Sequence, residues 1–425
     1  MSSWHRLLSR AVEVRAGEVR ALALGFAYFF ALLCAYYVLR PVREEMGIAG
    51  GVRNLPWLFT ATFIAMACCV PLYGYATTRW SRGVFLPITY RFFSLCLVAF
   101  FVAFQFEDAR AWLARIFFVW LSVFSLFVVS VFWSFLSDLF SSDQGKRLFG
   151  FIAGGGSLGA IAGPAVTAAL VGEVGPVPLL LAAVVLLEAA IWCIRRLGRE
   201  AEALRDTADD LHPSAGETAL GGGMFDGLVQ LFRSPYLLGI ALYILLHSTT
   251  GTFLYFEQAN IVKNAFSDPG ERTRVFALID LAVNTLTILT QIFATGRFVK
   301  RAGIGWAGSF LPLVNALGFL ALAFSPALAA LIAFQVLRRT SDYAVSRPAR
   351  EVLYTSVTPE ERYKAKNVID TLVYRGGDAA SGWFFDALIG AGMGLAAIAA
   401  LGVPIALGWI VLALALGRGH ERRVA

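Results

Sequence analysis

The chain reads Gly74-Tyr-Ala-Thr-Thr78-Arg79-Trp-Ser81-Arg82 after its second long apolar run and Gly296-Arg-Phe-Val-Lys300-Arg301-Ala-Gly303 after its eighth. Both fit Gly-x3-x-Arg-x-small, 222 positions apart (296 minus 74). A second pair agrees. Lys146-Arg147 stand ahead of Gly154-Gly155-Gly156, and Lys364 and Lys366 ahead of Gly376-Gly377, displaced by about 220. Matched landmarks at one displacement indicate an internal duplication, which in apolar chains marks folds built from repeated helical bundles.

Working outward from those landmarks, apolar segments of spanning length recur at 21–40, 54–76, 84–105, 112–139, 148–171, 175–194, 235–258, 274–298, 304–324, 326–346, 367–390 and 393–417. A hydrocarbon core of about 30 Å needs about 20 helical residues. The expectation is an all-α polytopic membrane protein of about twelve spans. Its pseudo-symmetric six-helix bundles would occupy 1–194 and 235–425. The polar stretch 195–234 reads as a cytoplasmic linker, with a short amphipathic helix at Glu200–Leu211.

Composition points the same way. The chain is 58% apolar with a mean hydropathy of +0.68, and has 35 Phe against 29 acidic residues. A water-soluble surface does not carry that load. The net charge of +7 does not imply nucleic acid. About 24 Lys and Arg fall at the termini and even-numbered loops and about six in the odd-numbered ones, which puts both termini in the cytoplasm. The location expected is the cytoplasmic (inner) membrane.

Cys34, Cys68, Cys69, Cys96 and Cys193 all lie in apolar runs without CxxC spacing, and the four histidines are scattered. Neither a disulfide framework nor a metal site is expected. There is no Gly-x4-Gly-Lys-Ser/Thr loop, no His-Glu-x-x-His and no Gly-x-Ser-x-Gly. The chain reads as a non-enzyme without a cofactor. A scaffold or receptor in the membrane is the alternative of another class.

Ionisable groups at membrane depth cost about 2.5–3.5 kcal/mol each on insertion scales, so they mark pathways or internal pairs. The candidates for binding an anionic small molecule are Arg40, Arg43, Arg91, Glu257, Asp280, Asn284, Arg339, Arg375 and Asp378. A guanidinium suits them because its planar fork gives carboxylate or phosphate two parallel bonds. Glu188 and Asp370 are coupling candidates. Gly74, Arg79, Gly296 and Arg301 are gating-loop candidates. The bland reading is local pairing, for instance Arg339 with Asp342 and Arg375 with Asp378 at i,i+3.

The two Gly-x3-x-Arg-x-small loops resemble the signature of the major facilitator superfamily, with Thr78 and Lys300 where that family carries an acid. Gly159-x3-Gly163-Pro164 is similar to the fifth-helix Gly-Pro motif of its antiporters.

Three blocks also resemble the ATP:ADP (NTP/NDP) exchange transporters. They are Tyr36-Tyr37-Val-Leu39-Arg40-Pro-Val-Arg43-Glu44-Glu45, then Phe132-Trp133-Ser-Phe135, then Ala349-Arg350-Glu351-Val-Leu353-Tyr354 with Lys364-Ala-Lys366-Asn-Val-Ile369-Asp370. Glu257 falls where that family has an acid. Leu121 and Asp378 depart from its pattern.

The resemblance implies alternating access by two bundles and antiport of an anionic solute, nucleotides first. A same-fold facilitator of a siderophore, peptide or organic acid stays open. The partners expected are the lipid bilayer and a small-molecule anion, with no nucleic acid and a monomeric chain.

Overall fold

The computed structural model describes residues 14, 18–79, 82–206, 224–358, 361, 365–366 and 368–424, and their side chains except 70–71, 73–84, 142 and 201–228. Helix is the regular secondary structure of the described residues, and no strand occurs among them. The helices are α1 (Val19–Ala49), α2 (Leu55–Arg79), α3 (Arg82–Ala103), α4 (Arg110–Leu139), α5 (Ser142–Val174), α6 (Leu179–Asp206) and α7 (Met224–Arg233). They continue with α8 (Pro235–Ala265), α9 (Pro269–Thr290), α10 (Gly296–Phe324), α11 (Leu328–Ser341), α12 (Arg347–Leu353), α13 (Tyr374–Gly390) and α14 (Leu395–Val424).

Eight helical stretches among the described residues are long and apolar enough to cross a membrane. One of them, Pro269–Phe324, is 56 residues long and holds two expected spans, because Gly303 breaks it with φ +76°. Only glycine adopts that conformation without strain. The small residue that closes the second Gly-x3-x-Arg loop is therefore a one-residue helix break. Gly296 opens α10, and Arg301 is exposed. Gly74 and Arg79 lie in the last turns of α2, with their side chains outside the description. Of the stretch expected to be linker, Arg195–Asp206 continues α6 and Met224–Arg233 forms α7. The end of the expected amphipathic segment, 207–211, lies outside the described residues.

The chain divides into two units. Unit 1 comprises Met1–Gly50, Ala65–Glu217 and Asp268–Leu281. Unit 2 comprises Gly51–Ile64, Thr218–Ser267 and Ala282–Ala425. The start of α2 thus belongs to unit 2 and the start of α9 to unit 1, a reciprocal assignment that follows the internal duplication.

Unit 1 is organised on a parallel pair, α1 and α5. A Cβ on Gly155 would strike the Phe26 carbonyl oxygen, and one on Gly159 the Phe30 carbonyl oxygen. One on Gly163 would lie 2.7 Å from the Cys34 carbonyl oxygen. Both helices step by four, so this is one small-residue ladder that lets backbones touch. Thr167 Oγ1 continues it with a 3.3 Å bond donated to the Val38 carbonyl. Its far end is ionic: Arg147 meets Glu18 with contacts of 3.1 and 3.0 Å, and Gln144 Nε2 also donates to Glu18, at 3.1 Å. The glycines of α5 are thus packing residues.

α5 opens on a capping box, in which Ser141 Oγ accepts from the Gln144 N–H and Gln144 answers to the Ser141 N–H. Ser141→Ala should cost about 1 kcal/mol, read as a lower melting temperature of the purified protein. Aromatic rings fill the remainder of the unit. Phe29 stacks on Phe132 at 3.9 Å, and Tyr28 and Tyr90 share a 2.7 Å hydroxyl bond.

Unit 2 repeats the theme. Gly377 on α13 faces Ser248 on α8, each 222 positions beyond Gly155 and Phe26, with only 3.0 Å between its absent Cβ and Ser248 Oγ. Gly305 and Gly417 bring α10 and α14 into backbone contact. Buried Trp409 stands edge-on to Tyr243 and His247. The start of α2 joins this unit through Trp57 against Trp383 and Phe59 against Tyr255 and Phe256.

Large apolar side chains occupy outer faces at helical spacing, Ile88, Phe92, Leu95 and Val102 on α3 and Leu181, Val185 and Trp192 on α6. Such stripes suit lipid rather than water.

Candidate functional site

The candidate residues fall into one group in each unit. In unit 1, α1 ends in a charged turn. Arg40 is 19% exposed in its side chain and meets Asp280 of α9 at 3.5 Å, with its guanidinium 5.8 Å from the Tyr37 ring. Arg43 is held more completely. Its Nε donates to the Phe118 carbonyl and Ser122 Oγ, its Nη1 meets Glu44 at 3.1 Å, and its guanidinium lies 3.8 Å over the Phe118 ring. It is thus held by a carbonyl, a hydroxyl, a carboxylate and a ring at once.

One turn on, buried Glu45 receives Arg272 of α9 through two contacts, 2.7 and 2.8 Å. Asp268 starts α9 by accepting the Glu271 N–H at 2.8 Å, which sets Arg272 in the first turn.

In unit 2 the charges gather where α-helices pass through π turns, at Asp342–Ser346 between α11 and α12 and at Ile369–Val373 before α13. A π turn aligns i with i+5, and such turns cluster at functional sites. Asp342 accordingly meets Arg347 at 3.1 Å, five residues on, in place of the i,i+3 pairing expected from α-helical spacing. The Tyr343 ring lies 4.4 Å from the Arg347 guanidinium and 6.0 Å from that of Arg339.

Arg338 is fixed by Asn315 Oδ1 at 3.2 Å and the His247 carbonyl at 3.4 Å, in a space left free by the missing side chain of Gly251. Arg375 meets Asp378 at 3.5 Å. Asp378 also accepts from Ser248 Oγ at 2.7 Å and Thr252 Oγ1 at 3.3 Å. Arg375 lies 5.3 Å from the Tyr374 ring.

Asp280, Asn284 and Thr287 are all buried on one face of α9. Glu257 is 1% exposed, and its Oε1 has no hydrogen-bond partner among the described residues. Asp370 is exposed in its π turn.

Arg91 and Glu188 are not brought to these groups. Arg91 is exposed next to Phe92 on the outer face of α3, and Glu188 is exposed between Val185 and Trp192 on that of α6. The large apolar residues three and four positions away carried that signal. Sequence reasoning missed Arg272, which it counted with the loop charges, and assigned no partner to Glu45. The acidic cap at Asp268 three residues before Glu271 was the available clue.

Among the described residues no group of His, Cys, Asp or Glu is arranged to hold a metal. The arrangement offers guanidinium groups beside tyrosine rings inside membrane helices. It can bind and move a solute, and it contains no assembled nucleophile and base.

Comparison with curated protein sequences finds no match. Among solved structures, the nucleoside transporter NupG superposes with a TM-score of 0.68 at 14% identity, over 93% of this chain and 99% of that one. A bacterial homologue of the iron transporter ferroportin, in an inward-facing state, gives 0.64 at 11% identity, covering 95% and 100%. An auto-inhibited POT family peptide transporter gives 0.60 at 15% identity, covering 95% and 97%. These identities establish a shared fold and no shared substrate. The Major Facilitator Superfamily sequence model matches residues 21–346, most of the chain. With its helices and outward apolar faces, that match makes the chain a multi-pass membrane transporter of small molecules rather than an enzyme, and it belongs to the Major Facilitator Superfamily.

Proposed function

We propose that the solute is an anionic organic molecule, moved by alternating access in exchange for another anion, with nucleotides of the ATP/ADP type the first class to test. The chain works in the cytoplasmic membrane with both termini inside. One observation carries the reading. Arg40 in unit 1 and Arg375 in unit 2 are part-exposed, 19% and 37%, and each meets its carboxylate at 3.5 Å. The buried pair Arg272–Glu45 closes to 2.7 Å. A long contact to one carboxylate is readily exchanged for the shorter, charge-assisted bonds of a ligand.

In unit 1 the residue proposed to bind the anion is Arg40, with Tyr37 beside it; in unit 2 they are Arg339 and Arg375, with Tyr343 and Tyr374 beside them for ring contact. Asn284, Glu257 and Asp378 supply the polar remainder, and Asp280 lies beside the site as Arg40's own carboxylate partner. Arg43, held by Phe118, Ser122 and Glu44, supports α1 against α4. The three-block resemblance to the nucleotide exchangers favours nucleotides among anions. The likeness of fold to a nucleoside transporter does not bear on the charge.

Purified protein should melt at a higher temperature with ADP, ATP, inorganic phosphate or citrate, since a ligand at 100 times its Kd adds about 2.7 kcal/mol. Arg375→Gln should weaken the response at least tenfold while leaving the ligand-free melting temperature within a few degrees. Stabilisation by neutral or cationic solutes alone would sink the anionic reading.

A further inference from the structure

Two ion pairs join α1 to α9 within unit 1, and they differ in kind. Glu45–Arg272 is a fork with two short contacts, 2.7 and 2.8 Å, between side chains 1% and 12% exposed. Arg40–Asp280 is a 3.5 Å contact in which the arginine side chain is more exposed than the aspartate's, 19% against 3%. Going up α1 from 40 to 45 corresponds to going down α9 from 280 to 272, so the segments run antiparallel. Positions 272 and 280 are about two turns apart on one helix face. Each cation is opposite an anion, and the four charges cancel.

We propose that Asp280 is a resident anion which occupies Arg40 until an anionic solute takes its place, while Glu45–Arg272 keeps α1 and α9 in register. The proposal rests on the anionic reading given above and assigns Asp280 a role in setting affinity. Three features support it. Asp280 shares a buried face of α9 with Asn284 and Thr287, so a carboxylate released from Arg40 has polar neighbours along its own helix. Arg40 has Tyr37 alongside, a ring that holds the guanidinium in position whichever anion it meets. The bidentate pair one turn beyond Arg40 secures the helices independently, so loosening Arg40 does not separate them.

A site that is competent for only a fraction of the time shows a dissociation constant raised by the inverse of that fraction. If Asp280 holds Arg40 for about nine-tenths of the time, its removal tightens anion binding about tenfold. A purely structural ion pair behaves differently: its loss lowers stability and leaves ligand affinity where it was.

The test is a thermal-shift titration of the full chain with ADP, inorganic phosphate and citrate, using adenosine as the neutral control. Asp280→Asn should melt lower without ligand and bind the stabilising anions about tenfold more tightly, with the adenosine response unchanged. Asp280→Glu keeps the charge and extends its reach by one methylene. It should close the contact to Arg40 and weaken anion binding several-fold. That second variant decides the matter should Asp280→Asn fail to fold. Anion affinity unchanged in Asp280→Glu, or in a folded Asp280→Asn, overturns the resident-anion role while leaving the anionic reading standing. Anions that act on neither the native chain nor the variants overturn both. A response confined to Asp280→Asn supports the proposal, because the internal carboxylate then masked the site in the native chain.

Discussion

Gly159→Leu should abolish accumulation of folded protein or lower its stability by about 3 kcal/mol or more, the upper end of overpacking effects. The reason is a backbone contact. A Cβ at 159 runs into the Phe30 carbonyl oxygen and lies 2.9 Å from the Cys34 amide nitrogen. A flexible side chain could turn aside, but the backbone of α1 cannot, because the same ladder fixes it at Gly155, Gly163 and Thr167. Opening α1 from α5 at 159 therefore strains every rung. Gly172→Ala, on the same helix with open space around it, should be neutral or slightly stabilising through helix propensity. Thermal melting of the two variants side by side separates close packing from general intolerance to change. Equal stabilities would refute the ladder.

Arg272→Met should have the second largest effect, a loss of about 3–5 kcal/mol, because it leaves the Glu45 carboxylate buried without its partner. Glu45 is 1% exposed and loses both contacts at once. The double variant Glu45→Leu/Arg272→Met should recover most of that loss, since a buried ion pair and an apolar pair of similar size are often close in free energy. The measurement is melting temperature across the cycle of native, two single variants and double variant. Additive losses, with the double variant worst, would show that the two side chains stabilise the protein independently of each other.

Much of the fold was legible because the bilayer imposes it. Apolar runs of spanning length form helices because every backbone group must be satisfied inside hydrocarbon, and the repeated Gly-x3-x-Arg loops mark the duplication directly in the sequence. The repeat even extends to geometry, since Gly155 and Gly377 perform the same close packing 222 positions apart. The small-xxx-small spacing on α5 announced a packing face. It did not say against which helix, because a glycine's partner is set by the neighbour's backbone, which carries no sequence pattern.

The pairing of charges was less legible. Arg375–Asp378 follows from α-helical spacing and is formed. Asp342–Arg347 does not follow, because a π turn shifts the register by one residue and nothing in the composition of Asp342–Ser346 requires that turn. Arg91 and Glu188 looked like pathway charges because their depth was legible and their azimuth was not. The stripes of Phe92, Leu95, Val185 and Trp192 show both facing outward.

By itself the sequence determined that the chain is helical, duplicated and built to lie in a membrane, since burial of apolar length is local and additive along the chain. How each arginine is held was decided only by tertiary structure. Arg43, Arg40 and Arg272 are alike as residues. They differ in what the fold brings them: for Arg43 a ring at 3.8 Å, a carbonyl and the adjacent Glu44, for Arg40 a ring at 5.8 Å and a carboxylate at 3.5 Å, for Arg272 a carboxylate gripped at both oxygens. Electrostatic strength depends on those last ångströms and on burial, and both are properties of the packed helices.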